Sequence, residues 1–276
     1  MRLRRVRGER LGEGGRLAEV VGQLCGGQVV AVLPDRHGRC RAVAVVCDTQ
    51  GKVVAYLKYA WEVEDARRLA HEAAVLRSLP DGLGPRLMAS ELVGEGLLLA
   101  LAPVEGAPLP ARLPPPEGLA EFVQALVHGW SSAPDHPFLR ALEDGPEAEA
   151  VRRWAEALRG LDLPMGLSHG DLAPWNLLRT RDGLVAVDWE EAELNGLPWL
   201  DLAYYVLRTA LLIYRWPPKR TAWKAEQSLE RILGLPSRQA RALVAFSAYA
   251  TWRGMGKGSP GAHSTVREWY RAVWIE

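Results

Sequence analysis

The 276-residue sequence has few cysteines and few lysines, and no long apolar run follows its basic first residues. Its three cysteines, Cys25, Cys40 and Cys47, are odd in number and lack the paired spacing of a metal site. They could not form a disulfide framework, which favours a reducing compartment. An export signal needs an apolar run near the start, so none is expected here. We therefore expect a cytoplasmic protein.

An excess of charge of one sign is also missing, because the formal net charge is only +1. The protein thus lacks the global basic field that drives non-specific binding to nucleic acid, and we expect no nucleic-acid partner. Residues 199–216 are rich in apolar side chains, but Asp201 and Arg208 interrupt them. This segment is predicted to be a buried helix, and membrane insertion is not expected.

Apolar residues make up 48% of the chain, which is enough to bury a sizeable core. From residue 28 to 60, three β-branched runs separated by turn signals predict an antiparallel meander. Residues 61–79 have helical periodicity, and 96–103 are typical of a further strand. Six prolines then fall within 103–118, where they prevent a helix or a central strand. This proline-rich segment predicts a boundary between an N-terminal lobe, 1–103, and a C-terminal lobe, 104–276.

The C-terminal lobe is predicted to be mainly helical with one hairpin. Its predicted helices cover 118–130, 147–161, 199–216, 222–234, 237–253 and 265–276. The hairpin covers 176–189.

The predicted hairpin suggests a cation site. A three-residue turn around Asp182 pairs Asn176 with Asp188 across the two strands, whereas a two-residue turn shifts the pairing by one. Directly opposed Cβ atoms lie about 4.5–5.5 Å apart, and amide and carboxylate oxygens at that spread suit Mg²⁺. The alternative is that both residues simply cap an exposed hairpin.

The loop before the hairpin carries two candidates for the general base. Asp171 precedes Asn176 by five residues, and Pro174 prevents a helix between them. A carboxylate there can orient a hydroxyl acceptor and take its proton late in phosphoryl transfer. His169 is a second candidate for the general base, although we favour a structural role in which it holds the loop backbone.

An independent indication comes from lysine usage, since the chain has five lysines against twenty-nine arginines. Lys58 nevertheless closes the apolar strand VVAYL, and its flexible point charge suits phosphate oxygens. In the next helix Glu72 falls on the apolar face with Leu69 and Leu76, where a carboxylate needs a buried partner. Lys58 is the nearest candidate partner. The alternative is that Lys58 extends to solvent and Glu72 lies at the edge of the apolar face.

Together, the strand lysine, the helix glutamate and the motifs HGDLAPWN (169–176) and VDWE (187–190) resemble a known group. This group is the aminoglycoside phosphotransferase and choline kinase-like superfamily, and the resemblance extends from about Val29 to Tyr205. It implies an α+β, bilobal protein-kinase-like fold. In such a fold a small antiparallel β-sheet lobe with one helix precedes a larger, mainly helical lobe.

The resemblance also implies ATP and Mg²⁺ as cofactors. It assigns Lys58 to the α- and β-phosphates, Glu72 to holding Lys58, Asp171 to catalysis, Asn176 and Asp188 to Mg²⁺, Asp201 to bracing the loop, and Leu101 and Ala102 to the adenine-binding hinge.

The phosphate-covering loop departs from the protein-kinase pattern. In the segment where it is expected only Gly38 is present, with no G-x-G-x-x-G around it. Residues 254–261 (GMGKGSPG) contain Lys257 but lack the spacing of a Walker A motif. We interpret 254–261 as a loop, which leaves open whether it contacts a substrate.

The predicted function is an ATP- and Mg²⁺-dependent kinase of a small-molecule hydroxyl, such as a sugar, an aminoglycoside-like compound or a related metabolite. A nucleotide-binding pseudokinase with a regulatory or scaffolding role is the alternative. A protein Ser/Thr kinase is disfavoured, because only about ten residues separate VDWE from the next predicted helix, too few for an activation segment.

The acceptor itself is not specified by the sequence. From Asp201 onward the chain has twelve Lys and Arg against five Asp and Glu, which favours a neutral or anionic acceptor over a polycation. The alternative is that these basic residues form a solvent-exposed, arginine-rich surface with no role in binding the acceptor. Three glutamates beside the predicted cation site could still hold an amine, namely Glu190, Glu191 and Glu193. Trp175 and Trp189 could stack on a sugar, although most tryptophans pack in cores.

Overall fold

The computed structural model describes residues 22–23, 28–34, 41–143, 147–255 and 262–275. Several residues singled out by the sequence lie outside this part of the chain, namely Gly38, Cys25, Cys40 and most of 254–261. Cys47 is described and is a buried free thiol.

The described residues divide into two compact units. The first comprises those up to Glu105 together with Val187–Glu191, and the second comprises Gly106–Ala186 and the residues from Ala192 onward. The division into lobes at 103/104 stays a prediction. Among the described residues, no helix has the length and apolar character needed to cross a bilayer.

The first unit contains a five-stranded antiparallel sheet and a helix that packs on it. Its elements are β1 (Gln28–Pro34), β2 (Arg41–Cys47), β3 (Val53–Ala60), α1 (Val63–Ser78), β4 (Leu87–Val93) and β5 (Gly96–Leu101). The strand order is β1-β2-β3-β5-β4, so the predicted meander occupies one side of the sheet and β3 lies at its centre. The sequence did not predict β4.

Helix α1 covers one face of this sheet because its apolar side chains recur at helical spacing. Leu69 and Ala73 pack against Ala60 of β3 and Leu99 of β5, and all four are buried. Side chains two apart on a strand share a face, so Lys58 faces α1 as Ala60 does. The sheet geometry therefore directs a lysine toward the buried face of a helix.

The second unit is mainly helical. Its elements are β6 (Ala107–Pro108), α2 (Leu119–Gln124), β7 (Val127–Ser132), α3 (Pro137–Glu143), α4 (Ala148–Ala157), β8 (Asp162–Ser168), β9 (Leu177–Arg179), β10 (Leu184–Ala186), β11 (Glu193–Gly196), α5 (Trp199–Thr209), α6 (Pro218–Leu233), α7 (Ser237–Gly254) and α8 (Ala262–Ile275). Two small sheets accompany the helices, with strand orders β10-β9-β6 and β11-β8-β7.

One predicted helix is wrong in its second half. Residues 118–130 contain α2, but the chain then forms strand β7. β7 pairs antiparallel with β8, with Val127 opposite Gly166. A Cβ at Gly166 would lie 2.3 Å from the Leu126 carbonyl oxygen, so this close approach of two backbones depends on glycine. Pairing with a distant strand thus overrides the local helical pattern.

The predicted hairpin register is also wrong by one residue. Leu184 lies opposite Arg179, and the Thr180 amide donates to the Gly183 carbonyl at 2.9 Å. The turn therefore contains two residues rather than three, and β10 already ends at Ala186. The predicted cross-strand pair of Asn176 and Asp188 does not form part of this ladder.

The apolar segment 199–216 is helical, as predicted, but not throughout. Helix α5 ends at Thr209 and continues as a π-helical turn, Ala210–Tyr214. Nine of the eleven residues of α5 are buried, which explains its apolar composition without a membrane.

Candidate active site

The first unit holds a three-membered ion cluster around Lys58. The Lys58 Nζ atom donates to both carboxylate oxygens of Glu72 at 2.8 Å and to Asp188 Oδ1 at 2.6 Å. The Glu72 side chain is 0% exposed, whereas those of Lys58 and Asp188 are 15% and 38% exposed. The cluster therefore has a buried end at Glu72 and a solvent-accessible end at Asp188. The structure brings Lys58 and Glu72 together as the sequence pattern predicts.

Asp188 reaches this cluster because its segment is fixed at several points. The Trp189 amide donates to Glu72 Oε1 at 3.3 Å, and Arg68 of α1 pairs with Glu191 at 2.7 Å. The Trp189 side chain is fully buried against Gly84, where an added Cβ would lie 2.9 Å from Nε1. Asp188 itself adopts a positive φ of 68°, a conformation that non-glycine residues seldom adopt outside turns and functional sites.

The charges in this cluster do not balance, since one ammonium faces two carboxylates. Burial tends to lower the pKa of Lys58, but the charges of Glu72 and Asp188 outweigh it and raise that pKa above its usual value. The pKa of Glu72 is also raised, chiefly by burial and further by repulsion from Asp188 and Glu190, with Lys58 opposing. We conclude that Lys58 stays charged and that the carboxylates repel each other. A cation at the exposed end would relieve that repulsion.

In the second unit, the loop between β8 and β9 is braced by a buried aspartate of α5. Asp201 is 2% exposed, and its oxygens accept hydrogen bonds from the His169 amide at 2.7 Å and the Gly170 amide at 3.0 Å. Gly170 has a φ of 76°, which explains why glycine stands between His169 and Asp171 in the motif. Burial raises the pKa of Asp201 to about 7, although the two backbone amides oppose this.

The same loop brings Asp171 and Asn176 into direct contact. The Asn176 amide nitrogen donates to the Asp171 carbonyl at 2.9 Å and to its carboxylate Oδ2 at 3.1 Å. Because that nitrogen is committed to Asp171, the amide oxygen of Asn176 is the atom suited to bind a cation. His169 is fully buried, and its Nδ1 accepts the Asp171 amide at 3.3 Å. This contact fits the structural role that we favoured for His169.

The two predicted hinge residues lie at the end of β5. Leu101 is buried, and the Ala102 amide donates to the Arg86 carbonyl at 2.9 Å. An adenine-binding role for these residues stays a prediction, as does any role of Gly38. Across the part of the chain that the structure describes, no group of three or more His, Cys, Asp or Glu is arranged to hold a metal. The predicted Mg²⁺ ligands, one amide and one carboxylate, are not a group of that kind.

Comparison with solved structures places the fold in a known class. One similar chain is a candidate fructosamine-3-kinase from Haemophilus somnus 129PT, with a TM-score of 0.50 and 11% identity over 93% of this chain and 96% of that chain. Another is a macrolide 2′-phosphotransferase from Brachybacterium faecium, with a TM-score of 0.51 and 17% identity over 93% of this chain and 97% of that chain. The predicted α+β, protein-kinase-like fold class is thereby confirmed.

The family is defined by the sequence itself. Residues 60–229 match the phosphotransferase enzyme family, and since this range exceeds half of the chain, the protein belongs to that family. The matched range includes Glu72, Asp171, Asn176 and Asp188 and begins two residues after Lys58. No curated protein gives a significant match.

Some residues of these clusters were not identified from the sequence. The Tyr204 hydroxyl donates to Asp171 Oδ1 at 2.5 Å. Its spacing of three residues from Asp201 on α5 is a usable signal, because such residues share a helix face. Trp189 was considered for sugar stacking, but it is fully buried in the first unit, whereas Trp175 is 41% exposed. No local sequence pattern predicts the contact of Trp189 with Gly84 or that of Arg68 with Glu191.

Proposed function

We propose that this protein is a kinase that transfers the γ-phosphoryl group of ATP, with Mg²⁺, to a hydroxyl of a small molecule. The proposal rests on two clusters of hydrogen-bonded polar side chains in a member of the phosphotransferase enzyme family. One cluster joins Lys58 to Glu72 and Asp188, and the other joins Asp171 to Asn176. These residue types supply the phosphate contact, the metal ligands and the acceptor base that phosphoryl transfer requires.

In the proposed reaction each cluster has a separate task. Lys58, held by Glu72, binds phosphate oxygens of ATP through its ammonium group. Asp171 orients the acceptor hydroxyl and takes its proton as the acceptor oxygen bonds to the γ-phosphorus. The bond between that phosphorus and the β,γ-bridging oxygen breaks, and ADP leaves with the electron pair. Asp201 keeps the Asp171 loop in place through the two backbone amides.

The residues present fit a magnesium ion. The carboxylate of Asp188 and the amide oxygen of Asn176 are hard oxygen ligands, and Mg²⁺ usually takes one or two such groups with waters and phosphate oxygens. When bound, the ion neutralises phosphate charge during the transfer. Binding at Asp188 would also relieve the repulsion between Asp188 and Glu72.

The acceptor is proposed to be neutral or anionic, because the basic residues after Asp201 disfavour a polycation. A sugar or a related metabolite fits this charge. The names of the similar structures suggest fructosamines and macrolides as probes to include. A cytoplasmic location remains part of the proposal.

The test is ADP release from Mg²⁺-ATP in the presence of separate acceptors: monosaccharides, a fructosamine, a macrolide, an aminoglycoside and choline. We expect one class to accelerate ADP release in the wild type and not in Asp171→Ala. Asp182→Ala is the matched control, because Asp182 is exposed in the hairpin turn, and it should retain activity. Binding of Mg²⁺-ATP without turnover on any acceptor would instead support the pseudokinase alternative.

A further inference from the structure

Both oxygens of the proposed catalytic carboxylate are held by side chains of the second unit. The Tyr204 hydroxyl donates to Asp171 Oδ1 at 2.5 Å, and the Asn176 amide nitrogen donates to Oδ2 at 3.1 Å. A single hydrogen bond would leave the carboxylate free to turn about its terminal torsion, whereas two bonds on different oxygens fix its plane.

The hydroxyl of Tyr204 is well suited to remain a donor. Burial raises the pKa of Tyr204 well above its usual value, and Tyr270 and Asp171 raise it further while Arg208 opposes them. The phenol therefore keeps its proton at any physiological pH. A carboxylate has about four acceptor sites on its two oxygens, so acceptor capacity remains for a substrate hydroxyl after these two bonds.

Helix α5 positions both the backbone and the side chain of the Asp171 loop. Asp201 fixes the backbone through the His169 and Gly170 amides, and Tyr204 lies one turn further along the same helix. Residues three apart share a helix face, so both contacts come from one rigid surface. Tyr205, the next residue, points elsewhere, since its hydroxyl donates to the Arg112 carbonyl at 3.3 Å.

We propose that Tyr204 is a positioning residue for the phosphoryl transfer, holding the Asp171 carboxylate in the orientation that receives the acceptor hydroxyl. The inference rests on the proposed function of Asp171. Tyr204 acts through Asp171 and does not itself touch the phosphate or the acceptor. Its removal should therefore slow the chemical step and leave nucleotide binding intact.

The kinetic test compares two variants that each remove one buried phenol hydroxyl from α5. Tyr204→Phe should lower kcat about ten- to a hundredfold, the effect of losing a hydrogen bond to a charged group, with an unchanged KM for ATP. Tyr205→Phe should retain the wild-type kcat and KM. Equal kcat values for the two variants, or a loss confined to KM, would overturn the proposal.

A second measurement does not depend on activity. The hydroxyl proton of Tyr204 should give a downfield, slowly exchanging NMR signal in tyrosine-labelled protein, and Asp171→Asn should shift it while Tyr205→Phe should not. A signal insensitive to Asp171→Asn would reject the contact even if Tyr204→Phe failed to fold. If the wild type is inactive on every acceptor, the proposed function fails, and the NMR signal alone then decides whether Tyr204 holds Asp171.

Discussion

Replacing Lys58 by methionine, which keeps most of the side-chain volume, is expected to destabilise the protein by about 3–5 kcal/mol near neutral pH. The reason is that Glu72, with 0% of its side chain exposed, would lose the ammonium that contacts both of its oxygens at 2.8 Å. Breaking a buried ion pair on one side leaves an uncompensated charge. Asp188 adds little to the cost, because its side chain is 38% exposed and can be solvated.

The destabilisation of Lys58→Met should depend on pH in a defined direction. Glu72 already has a pKa raised above its usual 4.5, and Lys58→Met removes the ammonium whose charge and hydrogen bonds oppose that shift. In the folded variant Glu72 then binds a proton more tightly than it does in the unfolded chain. The contribution of Glu72 to the free energy of unfolding is therefore full below about pH 4.5 and is lost as pH rises. Because Glu72 is protonated at low pH, the difference in the free energy of unfolding between the variant and the wild type should be smaller there.

Urea unfolding of four proteins measures this effect: the wild type, Lys58→Met, Lys58→Met/Glu72→Gln and Lys52→Met. Lys52 is exposed beside the turn between β2 and β3, so its replacement should change the free energy of unfolding by less than about 0.5 kcal/mol. The double variant removes both charges and should be more stable than Lys58→Met alone. A loss below about 1 kcal/mol for Lys58→Met, or one that does not vary with pH, would refute a buried pair held by charge.

Three further perturbations test other parts of the account. Asp188→Ala should abolish Mg²⁺-dependent ATP turnover while circular dichroism shows an intact fold, and normal turnover would remove Asp188 from the metal site. Burial raises the pKa of Asp201 from 3.8 to about 7, so its stability contribution is full below pH 3.8 and is lost as pH rises to about 7. Over that range the free energy of unfolding of the wild type should fall by up to roughly 4 kcal/mol more than that of Asp201→Asn. Urea unfolding at a series of pH values measures both, and the same pH dependence in the two proteins would contradict this. Gly84→Ala should cost about 1–3 kcal/mol, because the added Cβ would press on Leu79 and on Trp189, and it should lower turnover by displacing the segment that carries Asp188. Gly254→Ala, with no atom within 4 Å of the added Cβ, should do neither.

The first unit was largely predictable because its signals are local. The β-branched runs of β1, β2 and β3 alternate with clear turn residues, and Glu72 interrupts the apolar face of α1 at helical spacing. Each of these features is encoded within one element. Strand β4 was missed because its burial pattern does not alternate cleanly, with Glu91 and Leu92 both exposed.

The errors in the second unit arise where distant contacts decide the structure. Residues 127–130 continue the helix-like pattern that begins at 118, but the backbone of β8 pairs with them. In the hairpin, the residues RDG are compatible with two turn lengths, and one hydrogen bond from Thr180 to Gly183 selects the shorter. The contact of Tyr204 with Asp171 spans thirty-three residues, so only the fold brings the two side chains together.

The proposed function requires that Lys58, Asp171, Asn176 and Asp188 all act on one magnesium-bound nucleotide. The most direct test is a crystal structure with Mn²⁺ in place of Mg²⁺ and a non-hydrolysable ATP analogue, in which anomalous scattering locates the metal. We expect a Mn²⁺ peak within about 2.0–2.3 Å of an Asp188 carboxylate oxygen and the Asn176 amide oxygen, with Lys58 on the phosphates. A nucleotide bound away from Lys58, or a metal that contacts neither Asn176 nor Asp188, would contradict the account.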